Sequence, residues 1–120
     1  MNNNLGEALN ALNEKKAMDL AAIRVGDLTI VAEYFILATA TSNTHVKTLA
    51  DEVEVKLSEM GVEPHHIEGR ATGWILLDYG DIVVHVFSRE AREFYNLDKM
   101  WGDGEVIDLN TYLKSDREEQ

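Results

Sequence analysis

WILLDYGDIVVHVFSREAREFYNLDKMW, Trp74 to Trp101, decides how this chain folds. It reads as a tight hairpin that runs directly into a helix. Asp78-Tyr79-Gly80-Asp81 is the turn, because Gly80 adopts positive φ at little cost and Asp is favoured in turns. With the strands paired about a two-residue loop, alternation sorts the side chains onto two faces. One face holds Ile75, Leu77, Ile82, Val84 and Val86; it is wholly aliphatic and is therefore core. The other collects Trp74, Leu76, Asp78, Asp81, Val83, His85 and Phe87. Such a mixed face suits recognition of a basic partner better than it suits a dry core. The competing reading lays a helix over that face and leaves only the turn acids in water.

After the hairpin, Ser88 is placed to cap the last helix, on which Phe94, Leu97 and Trp101 fall on one stripe. That stripe makes Trp101 a core anchor, while Tyr95 and Asp98 point elsewhere and continue the mixed face of the hairpin. Before the hairpin, the spacing of Leu5, Ala8, Leu9 and Leu12 predicts an opening helix over 5–16. Leu20 to Val25 reads as a strand closed by Gly26-Asp27, and 28–33 as one short helical turn. Tyr34 to Thr39 is a buried strand. Ser42 or Asn43 then caps the clearest helix, with Val46, Leu49, Ala50, Val53, Leu57 and Met60 on its apolar stripe. Lys47, Asp51, Glu52, Glu54 and Glu59 mark its wet side. Gly61 ends it, Pro64 follows, and His66 to Gly69 is a short strand. The order predicts a single α/β domain on a mixed sheet of about five strands flanked by helices. Residues 1–109 form that domain and 110–120 a polar C-terminal tail.

At 120 residues and 13.5 kDa, with 45% hydrophobic residues, the chain can bury a core without staples. There are no cysteines, which excludes disulfides, zinc-thiolate sites and cysteine nucleophiles. The start, MNNNLGEALNAL, lacks the basic and apolar runs of a secretion signal, and no apolar run approaches the ~18 residues of a membrane span. A cytoplasmic location is the expectation. Asp and Glu total 22 against 11 Lys and Arg, a net charge of −11. Such a surface repels nucleic acid, so little or no direct RNA contact is expected. It would instead steer toward a basic protein; solubility alone is the plainer explanation.

Nothing in the sequence asks for a cofactor. His65 and His66 are adjacent and face opposite ways on a strand, and His45 and His85 have no ligand spacing, so no metal site is predicted. Ser42, Ser58, Ser88 and Ser115 sit at caps, a helix surface or the tail, with no nucleophile elbow around them.

Five words in order carry a resemblance. They are Glu33-Tyr34-Phe35-Ile36-Leu37, Ser42-Asn43-Thr44-His45-Val46, Ile67-Glu68-Gly69, the hairpin from Trp74 to Phe87, and the run from Arg92 to Trp101. From about Ala17 to Trp101 the chain resembles the ribosomal silencing factors, also called the Iojap family. It departs from their pattern at Glu33, Ala40 and Met100, where Asp, Gly and Leu are usual.

The resemblance implies a nucleotidyltransferase-like fold without its catalytic residues. The residues agree: no Gly-Ser dipeptide is present for phosphates, and Ala40-Thr41-Ser42 is a helix cap rather than a cradle. Asp78 and Asp81 sit at a turn without a basic group for triphosphate. A nucleotide-binding enzyme is kept as the alternative from another class. The resemblance further implies a translational repressor that binds the large ribosomal subunit through the basic ribosomal protein L-fourteen and blocks joining of the small subunit. A ribosome-biogenesis role through the same contact is equally open, as is a homodimer. Joined to the face analysis, it points to Trp74, Leu76, Asp78, Tyr79, Tyr95 and Asp98 as contacts, the rings filling shallow pockets and the acids pairing with basic side chains.

Overall fold

Gly80, at φ 90°, closes a two-residue loop that falls one residue later than the turn expected over 78–81, because Asp78 pairs with Val83 and leaves Gly80-Asp81 as the loop, a shift that keeps both faces as expected. Its N–H donates to Asp78 Oδ1 at 2.8 Å, and Tyr79 N–H donates to the Ile82 carbonyl at 2.9 Å. Around this turn the computed structural model describes residues 3–26, 32–69, 73–96 and 104–113. Its elements are α1 (Asn3–Glu14), β1 (Met18–Arg24), β2 (Tyr34–Ala40), α2 (Asn43–Glu59), β3 (His66–Glu68), β4 (Trp74–Asp78), β5 (Ile82–Ser88), α3 (Arg89–Tyr95), β6 (Glu105–Val106) and a 3-10 helix at Leu109–Thr111.

The strands form one mixed sheet of six in the order β3-β4-β5-β2-β1-β6. β5 and β2 run parallel at its centre, and the other pairs are antiparallel. α1 and α2 lie against one face. Leu5, Leu9 and Leu12 of α1 and Val46, Leu49, Val53 and Leu57 of α2 meet Ile75, Leu77, Ile82, Val84 and Val86, all fully or almost fully buried. The aliphatic hairpin face is the core face, as its alternation requires.

Helix ends follow local chemistry. Ser42 Oγ accepts from His45 N–H at 3.0 Å, and Ser88 Oγ from Ala91 N–H at 3.1 Å. The His45 ring also joins two elements: Nδ1 accepts from Thr41 N–H at 2.9 Å, which leaves Nε2–H to donate to the Lys15 carbonyl at 2.7 Å. Gly61, at φ 79°, ends α2. Ala40 is buried strand without positive φ, so no glycine is needed there.

The differences from expectation lie where long-range pairing or a weak cap decides. β6 pairs with β1 at Ile23 and Arg24, a partnership that two residues cannot announce by alternation. Tyr112 and Leu113, expected in the tail, pack on the core; the Tyr112 ring meets Gly6, and Asn10 Nδ2 donates to the Tyr112 carbonyl at 2.9 Å. β1 starts early, at Met18, and is bulged before Ala21 with Asp19 at φ 47°. Met60 is exposed at the α2 C-cap rather than in the stripe. α3 stops at Tyr95, because Asn96 takes the left-handed conformation and its N–H bonds the Arg92 carbonyl. Phe94 is consequently 81% exposed and is no core residue. Leu97, Asp98 and Trp101, and most of the expected turn at 28–33, lie outside the described residues.

Two truncations separate the buried stripe from the misassigned one. Leu57→Ala should cost about 2–5 kcal/mol in denaturant unfolding, as a cavity in a packed core does. Phe94→Ala should stay within about 0.5 kcal/mol of the parent, as an exposed substitution does.

Candidate functional site

The mixed hairpin face divides into a buried half and an open edge. Val83, His85 and Phe87 of β5 are buried, together with Ile23, Phe35 and Leu37, in a second apolar cluster. Trp74 and Leu76 of β4 are half-buried at its margin. α3 meets this face at its Phe87 end through Ala91 and Tyr95, so helical cover and open surface both occur on it.

A ladder of rings leads from that cluster to the surface. Phe35 meets His85 edge-on at 4.9 Å, His85 and Phe87 stack at 6.0 Å, and Trp74 stacks on Phe87 at 5.2 Å. Tyr95 lies 4.4 Å from Trp74, and Phe94 packs edge-on against Tyr95 at 5.0 Å. Only the outer rungs are wet, with Tyr95 46% and Phe94 81% exposed. Large rings held rigid by neighbouring rings give contact area at little entropic cost.

His85 fixes the orientation of Trp74. The indole Nε1–H donates to His85 Nδ1 at 3.2 Å, so the imidazole is neutral with its proton on Nε2, which finds no partner. Burial is the cause of its lowered pKa, from 6.5 to about 4.

Acids edge the rings. Register pairs Glu68 with Leu76 and His66 with Asp78, so the β3 residues border the same face, where the His66 imidazole contacts the Glu68 carboxylate. Asp78 spends one oxygen on the turn through Gly80 N–H. Asp81 and Glu93 are exposed nearby in sequence to the turn and to Phe94.

Of the residues singled out by sequence, the structure brings Trp74, Leu76 and Tyr95 together and sets Asp78 at the end of their strand. Tyr79 is corrected: the pleat turns it to the aliphatic side, where it is 5% exposed, so its ring is not on the contact face. Asp98 lies outside the described residues. Sequence reasoning missed Phe94 and Glu68. Asn96 as a helix stop would have exposed the first; the second depends on the β3–β4 register.

Together these features describe a small α/β domain with an acid-edged ledge of aromatic rings at one margin of its sheet. The family model for RsfS, the ribosomal silencing factor during starvation, matches residues 1–120. The chain is 36% identical to the ribosomal silencing factor RsfS of Halalkalibacterium halodurans, over 85% of this chain and 88% of that one. It is 37% identical to that of Bacillus subtilis, over 83% and 86%. A crystal structure of a Chromobacterium violaceum protein superposes with a TM-score of 0.80 at 38% identity, covering 82% of this chain and 83% of that chain. The chain belongs to the ribosomal silencing factor family. Among the described residues, no helix is long and apolar enough to cross a membrane.

The buried imidazole has a pH consequence. As pH falls, the unfolded chain takes up this proton near 6.5, whereas folded His85 resists until about 4. Its contribution is therefore complete above about pH 6.5 and is lost across that window, by up to about 3 kcal/mol. Unfolding curves at successive pH values should show His85→Phe with a correspondingly flatter loss than the parent.

Proposed function

We propose that this chain silences translation by binding the large ribosomal subunit and keeping the small subunit from joining. Family membership supports the ribosome as target, and the contact is assigned to the basic ribosomal protein L-fourteen. The observation that carries the surface assignment is the outer end of the ring ladder, half-buried Trp74 with exposed Tyr95 and Phe94, beside Leu76 and edged by Asp78 and Glu68. Rings of this kind fill shallow pockets, and carboxylates around them select lysine and arginine while rejecting other acids. Asp98, four positions after Phe94, is retained as a contact on the family resemblance; Tyr79 is not.

The net charge of −11 favours a basic protein over RNA as the direct partner and speeds encounter with it. The mechanism needs no chemistry. Subunit interfaces close over short distances, and a body with extents of 40 × 34 × 26 Å seated on one side keeps them apart. The protein thus acts as a cytoplasmic wedge rather than an enzyme, and its effect follows occupancy.

The test mixes purified large and small subunits with increasing protein and follows joining by light scattering. Inhibition should rise with occupancy, be relieved by added large subunits, need no nucleotide, and be weak on ribosomes already joined. Trp74→Ala and Tyr95→Ala should each weaken large-subunit binding by at least about tenfold, the range for aromatic anchors. Unchanged joining at saturating occupancy would overturn the steric mechanism. A rise in melting temperature with ATP and Mg²⁺ would favour nucleotide binding instead.

A further inference from the structure

α3 carries the outer rungs of the ring ladder, Phe94 and Tyr95, yet it is a weak support for them. It has seven residues, and none of them is buried. A helix of two turns does not hold itself together in water, so its place on the sheet has to come from tethers. Ser88 caps its start, and Ala91 rests on the second apolar cluster. Toward the start of β1 and the end of β2, a cleft of about 460 Å³ opens beneath it, lined by Met18, Asp19, Thr39, Arg89, Arg92 and Glu93.

One guanidinium spans that cleft. Arg92 Nη1 donates to Thr39 Oγ1 and to the Asp19 carbonyl, each at 2.9 Å. Both acceptors are unusual for their places. Thr39 is a polar residue only 1% exposed, in a strand whose buried neighbours are apolar. Asp19 stands in the bulge of β1 at φ 47°, a conformation that favours glycine. A bulge leaves one residue out of the ladder, which frees its carbonyl for the guanidinium. Arg89 Nη2 adds a longer contact to Met18 Sδ at 3.4 Å.

Thr39 also links this tether to the ladder. It pairs in register with Phe87, on which Trp74 stacks at 5.2 Å. Tyr95, on the turn of α3 that follows Arg92, lies 4.4 Å from the same indole. Arg92 therefore joins the strands beneath Trp74 to the helix that brings Tyr95 against it.

We propose that Arg92 is the positioning residue of the ledge: its bonds to Thr39 and to the Asp19 carbonyl fix α3 so that Tyr95 and Phe94 meet Trp74 in one geometry before a partner arrives. Preorganisation of this kind lowers the ordering cost of binding. The inference deepens the silencing function proposed above and rests on the ledge being the ribosomal contact; Arg92 acts through Tyr95 rather than on the partner. The sign of its effect separates it from charge alone. Removing a cation from a chain of net charge −11 strengthens attraction to a basic partner, whereas losing the tether weakens binding.

Two measurements on the full chain test this. The first records ring-to-ring nuclear Overhauser effects in the free protein, with the Trp74 indole assigned by its loss in Trp74→Phe. Arg92→Met should lose most of the Trp74–Tyr95 effect and keep the Trp74–Phe87 one. The second measures affinity for purified large subunits. Arg92→Met should weaken binding by about fivefold or more, and Thr39→Val, similar in shape but without the oxygen, by about threefold. Asp19→Val, which resists positive φ, should weaken it at least about twofold more than Asp19→Gly, which accepts it. In a background of Phe94→Ala with Tyr95→Ala, Arg92→Met should add less than about twofold, because the tether has nothing left to position. An unchanged Trp74–Tyr95 effect, or tighter binding by Arg92→Met, would overturn the proposal. So would an undiminished effect in that background, which would make Arg92 a partner contact. Normal binding by Trp74→Ala and Tyr95→Ala would instead remove the ledge from the silencing reading, with the Overhauser result still deciding whether Arg92 holds the helix.

Discussion

The register of β4 on β5 is the constraint on which both faces of this molecule depend. Gly80 closes the loop, Leu77 lies opposite Val84, and every side chain of the two strands is assigned a face by that pairing. A slip of one residue would carry Ile75 and Leu77 into solvent and bring Trp74 and Leu76 under the helices. The cost would be the whole aliphatic layer, so the turn and the core enforce each other. Tyr79 shows how strict the rule is. It directly follows β4 in the sequence beside Asp78, yet the pleat puts its ring among the helices.

The aromatic ledge is an outgrowth of a second core rather than a patch laid on the surface. Phe35, His85 and Phe87 are buried and stack outward into Trp74, Tyr95 and Phe94. The outer rings therefore inherit the rigidity of the inner ones. A neutral His85 suits this role: it accepts from the indole and stays uncharged throughout the physiological range, its pKa near 4. The ledge accordingly keeps one geometry where a surface histidine would titrate.

Charge has a different part on each side. Around the ledge a few carboxylates, Asp78 and Glu68 among them, border a surface whose area comes from rings. On the α2 flank the balance is reversed, with four acids about a single exposed Val55. The net charge of −11 is common to both.

Local rules were enough for the parts of this fold whose signals are local. Alternation and Gly80 determined the hairpin and its two faces; spacing determined the buried stripes of α1 and α2; Ser42, Ser88 and Gly61 marked helix ends where the structure has them. The sequence words carried the family, and alternation placed Trp74 and Leu76 on one face. Tertiary structure decided the rest. β6 is a strand only through its pairing with Ile23 and Arg24 at the edge of β1, and Glu68 borders the ledge because of how β3 aligns on β4. Asn96 ended α3 early and turned Phe94 from an expected core residue into an exposed ring, a choice that the helical spacing of Phe94 and Leu97 could not reveal. Periodicity reports the face a residue would take if its element continued. Where an element stops, and what its edge meets, is set by contacts between residues far apart in the chain.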